Sequence, residues 1–328
     1  MPDDRPTSRE HSTKARSGWR KLVKYGVGLV LLAGVFWFVP VEGVWSVLQT
    51  SRPLPIIGAL IAAFAMQWAV AERLRRICDA HGLGWSTLGV LQINLATRFY
   101  GFLPGGNVTG FLIRFYKLTG NRKRYADVAV ALFYDRVAAT VTLCGVGALF
   151  WLLEWPGDSW QALVAILAAM AVMIFGLLVL FARRPGPIVG LARRCASRLV
   201  GVRLNTVRQA VRASRALPRT RVVWVYTVSV VAHLIGVAGW YLIAQSMDID
   251  VTFGTVGWVR SAMILATMIP VSAFGLGLRE GAAMLLLSGY GISNEQSVAF
   301  SLLVFTVFFL AVGLVGGLTE AVRVLRHS

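Results

Sequence analysis

Charged side chains are rare in the long apolar stretches of this chain, and the few found there are the ones placed to do chemistry. Asp135 and Arg136 stand together in FYDRVAAT, well inside an apolar run. Arg279 and Glu280 follow a Gly-rich bend in MIPVSAFGLGLREG, and Arg114 follows a similar bend in GFLPGGNVTGFLIR. A charge in the middle of a hydrocarbon layer costs roughly 2.5–3.5 kcal/mol on insertion scales, so each is a functional candidate by default. A guanidinium is a planar fork that grips a phosphate with two hydrogen bonds. A bend that opens a half-helix adds free backbone N–H groups and the positive end of a helix dipole. Together these residue types point to an anion held inside an apolar protein.

Adjacent residues on a helix point about 100° apart, so Asp135 and Arg136 each need another partner. Asp135 is expected to meet Arg279 or Arg114, and Arg136 to meet Glu280. Asn107 and Thr109 would add neutral hydrogen bonds after the first bend. Arg98, just before that bend, faces a cavity or snorkels towards the membrane surface. Arg260 has the same two options, and His233 is a lone intramembrane histidine. The competing structural reading is a set of buried ion pairs that hold a bundle together, with Gly275, Gly277 and Gly281 serving close helix packing. No GxSxG, HExxH, Walker A or acidic Mg²⁺ cluster occurs. Cys78, Cys144 and Cys195 are scattered without ligand-like spacing. The expectation is no catalytic residue, no metal and no cofactor, hence no enzyme.

The elements that must position these groups follow from composition. The 328 residues are 56% hydrophobic and only 15% charged, whereas a soluble domain is near 25% charged. This is an all-α polytopic membrane protein with no room for a soluble catalytic domain. The net charge of +18 comes from basic loops rather than a nucleic-acid surface, and no nucleic acid is expected. Full spans of about 20 apolar residues are expected over 22–39, 53–71, 126–153, 160–181, 222–245 and 296–318. Residues 1–21 form a basic, disordered tail, 22–320 one transmembrane domain, and 321–328 a short tail. Residues 183–221 are Arg-rich and free of acids, which places them in the cytoplasm with both termini.

Two apolar regions, 88–119 and 253–290, are broken by the bends. Pro104, Gly105, Gly106 and Gly110 shape the first; Pro270, Gly275, Gly277 and Gly281 shape the second. Basic residues flank the first region and acidic ones the second. The charge pattern therefore predicts two re-entrant helical hairpins of opposite orientation, the signature of an inverted repeat.

The bend-to-Arg segment 104–114, the Asp135–Arg136 pair, and PVSAFGLGLREG (270–281) with GISNEQ (291–296) after it together resemble the lysylphosphatidylglycerol synthase transmembrane-region family, also called flippase-like membrane proteins. The resemblance spans roughly 22–320. It implies a stand-alone lipid-translocating domain in the cytoplasmic membrane, lacking the soluble synthase domain. Relatives often carry an acid just after the glycine of the first bend, where this chain has Phe111. The implied cargo is an anionic phospholipid, an aminoacyl-phospholipid or a polyprenyl-phosphate-linked glycolipid. Arg279, Glu280, Arg114, Asp135, Arg136, Asn107 and Arg98 are the expected lipid-contacting residues. Two other classes compete: an integral-membrane transferase using Asp135 or Glu280 as base, and a non-catalytic subunit recruiting a cytoplasmic enzyme through 183–221.

Overall fold

The structure is a computed structural model that describes residues 41–102, 107–120, 124–154, 164, 218–268, 275 and 277–327. The expected spans 22–39 and 160–181, the bend residues Pro104, Gly105, Gly106 and Pro270, and most of the 183–221 loop lie outside the described residues. So does the side chain of Asn107.

Every regular element among the described residues is helical. In chain order these are α1 (Val41–Gln49), α2 (Pro53–Ala80), α3 (Thr87–Gly101), α4 (Asn107–Thr119), α5 (Tyr125–Glu154), α6 (Arg219–Ser246), α7 (Phe253–Thr267) and α8 (Leu278–Leu287). A continuous rod follows, made of α9 (Asn294–Phe305), a π-helical turn (Thr306–Ala311) and α10 (Val312–His327). Local sequence sets the starts. Pro53 opens α2, where its missing N–H costs nothing. Ser86 and Thr252 cap α3 and α7 by accepting from the Gly89 and Thr255 N–H groups, and Ser293 with Gln296 forms a capping box at α9.

Among the described residues four helices are long and apolar enough to cross a membrane: α2, α5, α6 and the Asn294–Arg323 rod. Two differ from the sequence expectation in length. The second span was expected to end at residue 71 with Arg73 beyond it, yet α2 runs nine residues further, to Ala80. The final rod runs through the expected tail to His327.

The long helices do not all run in one direction. Met66 and Arg73 of α2 lie at the levels of Gly236 and Ser229 of α6, so α2 and α6 are antiparallel. Asp135 and Ala139 of α5 rise alongside Ser229 and His233, so α5 and α6 are parallel.

The short helices form two antiparallel pairs. In the first, Trp85 Nε1 donates to the Leu118 carbonyl at 3.2 Å at the open end, and Gly110 lies against Thr97 and Gly101 near the turn. In the second, Trp258 Nε1 donates to the Tyr290 hydroxyl at 3.0 Å at the open end, and Gly275 lies against Thr267 near the turn. The α3 and α7 helices, at 15 residues each, reach only about 22 Å, short of a hydrocarbon core of about 30 Å.

The open ends of the pairs lie at opposite ends of the bundle. At one end Lys117 pairs with Glu320 at 2.5 Å, Arg124 donates to the Gly82 carbonyl, and Arg76 stacks on Trp224. At the other, Arg52 pairs with Asp248 at 2.8 Å, Gly254 abuts Glu154, and Gly43 abuts Glu295. Glycines allow the closest packing. A Cβ on Gly316 would strike the Leu95 carbonyl, and Gly313 and Gly317 seat Phe102 and Phe99. Small residues let helix backbones approach where lipid supplies no hydrophobic drive.

Candidate functional site

The first pair of short helices delivers Arg114 to the flank of α5. There the Asp135 carboxylate, 3% exposed, receives hydrogen bonds from two helices at once. Arg73 Nε of α2 donates to Oδ1 at 2.8 Å, and Arg114 Nη2 of α4 donates to Oδ2 at 3.3 Å. Arg73 Nη1 also donates to Ser229 Oγ of α6 at 3.3 Å. Three helices thus meet at one carboxylate, and Arg73 ties in a fourth. Two charge-assisted pairs compensate the cost of burying it.

Charge at this point does not balance. Arg98 and Arg136 stand close enough that Arg98 feels the like charges of Arg114 and Arg136. Neither has an ion pair among the described residues. The Arg98 guanidinium lies 4.8 Å from the centre of the Phe309 ring, a cation–π contact that supplies attraction without neutralisation. Arg136 is exposed on the outer side of α5. Arg114 keeps a buried Nε with no hydrogen-bond partner among the described residues. Arg73 and Arg114 pair with the single carboxylate, Arg136 is its chain neighbour, and Arg98 adds a further positive charge near Arg114 and Arg136, so cations outnumber acids here and Arg114 keeps donor capacity.

The second pair of helices builds a different arrangement from the same parts. Gly275 and Gly277 have φ of +70° and +79°, values that only glycine adopts without strain. This lets the chain reverse and start α8 at Gly277. Glu280 then reaches back, its Oε2 accepting from the Gly277 N–H at 2.8 Å. Its Oε1 accepts from both Arg279 Nε and Nη2, and from Ser301 Oγ at 3.2 Å. Arg279 Nε also donates to Ser301 Oγ at 2.9 Å, and its guanidinium lies 4.6 Å from the Phe305 ring centre. Arg279 is 3% exposed and Glu280 is 0% exposed. This is a closed, electrically neutral knot.

The expected partners need correcting on this geometry. Asp135 does meet Arg114, as expected, but its second partner is Arg73 and not Arg279. Glu280 binds its own neighbour rather than Arg136, because the side chains of Arg279 and Glu280 in the first turn of α8 both fold back towards Gly277 and Ser301. Gly281 meets nothing among the described residues that would hinder a side chain, so close packing against them is not its reason. Gly110 does need to be small, since a Cβ would lie 2.9 Å from the Thr97 carbonyl oxygen.

Arg73 was missed in the sequence because it was placed in the cytoplasmic flank. The apolar face Ala59, Ala63, Ala71, Leu74, Ile77 and Cys78 keeps helical spacing past it and was the available signal. The π-helical turn was also missed, and it ties the two breaks together. Phe305 just before it and Phe309 within it stack their rings at 5.9 Å. Phe102, at the end of α3, meets Phe305 edge-on at 6.4 Å. Arg98 and Arg279, one from each pair, lie over Phe309 and Phe305. Single π turns inside helices recur at functional sites.

No curated protein matches this chain. Family comparison is decisive over most of its length: the family model described as lysylphosphatidylglycerol synthase TM region matches residues 22–316. Four membrane-length helices, two pairs of half-length helices broken at glycines, and this match lead to one conclusion: the chain belongs to the lysylphosphatidylglycerol synthase TM region family.

Proposed function

We propose that this protein moves a lipid with an anionic phosphate headgroup across the cytoplasmic membrane and performs no chemistry of its own. The cargo class is an anionic phospholipid, an aminoacyl-phospholipid or a polyprenyl-phosphate-linked glycolipid. One observation carries this reading: the excess of guanidinium over carboxylate around Asp135. Arg73 and Arg114 share the single acid, and Arg98 and Arg136 have no ion pair among the described residues. A phosphate diester supplies the missing negative charge and accepts the forked hydrogen bonds that arginine offers. Arg114, Arg98 and Arg136 contact the headgroup in this account. Asp135 keeps Arg73 and Arg114 in place. Asn107, the first residue of α4, is kept in the proposed site on its sequence position.

The two pairs of short helices act as re-entrant hairpins from opposite faces, related as an inverted repeat. Their limited length and the opposite placement of their open ends support this. The end bearing Arg75, Arg76, Lys117, Arg124, Arg219, Arg221 and Arg323 faces the cytoplasm by the positive-inside bias. The opposite end carries Glu42, Glu154, Asp248, Asp250 and Glu295. A transferase using Asp135 or Glu280 as base is disfavoured, because both carboxylates are spent in ion pairs. Recruitment of a cytoplasmic enzyme through 183–221 is compatible with translocation.

The test is reconstitution into phosphatidylethanolamine–phosphatidylglycerol liposomes with a fluorescent phosphatidylglycerol and a membrane-impermeant quencher. Loss of protected label without any new lipid species supports translocation. Label that stays protected across anionic and zwitterionic reporters, or a modified lipid product, overturns it.

A further inference from the structure

Arg260 is a buried cation that the cluster around Asp135 does not use. It sits in α7, in the second pair of short helices, and is 3% exposed. Its Nε and Nη1 are buried and have no hydrogen-bond partner among the described residues. Its Nη2 reaches only the thioether of Met66 on α2, at 3.7 Å, a weak acceptor. Trp240 of α6 offers its ring at 5.7 Å. Gly236 of α6 makes the space: a Cβ there would collide with the guanidinium. Gln67, the residue after Met66, has a second buried donor without a partner, its Nε2. No acid among the described residues pairs with any of these groups.

An uncompensated guanidinium within a membrane bundle is costly and marks a functional position. Orphaned donors, charge and an aromatic wall together select an anionic acceptor. Position adds a second constraint. Arg73 reaches α6 at Ser229 and Arg260 reaches it at Gly236, a separation of about 10 Å at the helical rise. The step leads from the end of the bundle that bears Lys117 and Glu320 towards the end that bears Arg52 and Asp248. The imidazole of His233 lies between the two levels, with Nε2 2.8 Å from the Ala139 carbonyl.

We propose that Arg260 is a second binding point for a phosphate-bearing anion, one step further along α6 than the cluster at Asp135. It rests on the proposed function in one respect, that the physiological source of this phosphate is a lipid headgroup in transit. Met66 lines the point, and Gly236 leaves room for the guanidinium. A free phosphate offers the same chemistry, so the source has to be read by experiment.

The test compares wild type with R260M and R260K by native mass spectrometry of the detergent-purified protein. Phosphatidylglycerol, phosphatidylcholine and inorganic phosphate are each supplied alone. Thermal unfolding is measured in parallel. R260M is expected to unfold at the wild-type temperature or above it, because it removes an unpaired buried charge. It is expected to retain fewer phosphatidylglycerol molecules per chain than wild type, with phosphatidylcholine unchanged. R260K, with charge but no fork, should fall between them. Loss of inorganic phosphate alone assigns the point to the free anion. Equal retention of both anions in wild type and R260M overturns the proposal. If R260M does not fold, R260K decides it, since wild-type retention there means that the fork holds no ligand. Binding is counted without any flipping, so a failure of translocation leaves this result legible.

Discussion

The two glycine breaks carry similar sequences, each leading to an arginine, and the molecule treats those arginines in opposite ways. Arg279 has its acid next door. Glu280 caps the backbone of Gly277, neutralises Arg279 and bonds Ser301, and the group is shut off from its surroundings. Arg114 has no acid of its own and borrows Asp135 from α5, which Arg73 already holds more closely, at 2.8 Å against 3.3 Å. The first break is left with spare positive charge and spare donors. The lesson is that an arginine after a helix break reads as anchor or as ligand grip according to where its counter-charge comes from. A counter-charge on the same turn gives a self-contained joint. A shared counter-charge from another helix leaves a site that can answer to a third group.

The comparison can be broken most forcefully at the acids. D135N leaves two guanidiniums without a buried partner and should cost about 5 kcal/mol, at the upper end for breaking a buried pair. Thermal unfolding in detergent checks this, and a wild-type melting temperature would remove Asp135 from the centre of the account. E280Q keeps one oxygen, enough for Gly277 or Ser301 but not both, and should cost about 3 kcal/mol. Transport per folded molecule should stay near wild type in that variant, so a loss of rate without a loss of stability would make the second break a ligand site too.

The arginines sharpen the contrast. R114K preserves the charge near Asp135 but loses the fork, and should slow lipid movement about tenfold, the equivalent of one charge-assisted hydrogen bond. Its stability should barely change. The smallest expected effect lies in the turn. G275A forces a side chain into φ +70° and sets a Cβ 2.7 Å from Thr267 Cγ2, which should cost about 1–2 kcal/mol in unfolding measurements.

Much of this was legible in the sequence, and the gaps have physical reasons. The Gly-Pro punctuation of 88–119 and 253–290 announced short helices in place of one long one, because apolar length and chain breakers are local properties. Asp135 announced itself because a carboxylate in an apolar run must find a cation, and Arg114 was among the partners expected. Arg73 was hidden by a length rule. Twenty residues from Pro53 reach a plausible membrane boundary, so the arginine beyond was read as solvated, while α2 continues as a buried helix to Ala80. The pairing of Arg279 with Glu280 was hidden by a helix-geometry rule that does not hold in the first turn after a glycine reversal. Nothing in SLLVFTVFFLAVGL marks the π turn, which depends on what packs around Phe305 and Phe309.

The most direct test sets R114K beside R279K in the same liposome assay, with flipping rates of fluorescent phosphatidylglycerol divided by the folded fraction and with melting temperatures taken in detergent. The account predicts that R114K loses about tenfold in rate at an unchanged melting temperature, while R279K loses stability and keeps its rate per folded molecule. R114K flipping at the wild-type rate, or R279K slowing at full stability, would contradict the assignment of grip to the first break and anchor to the second.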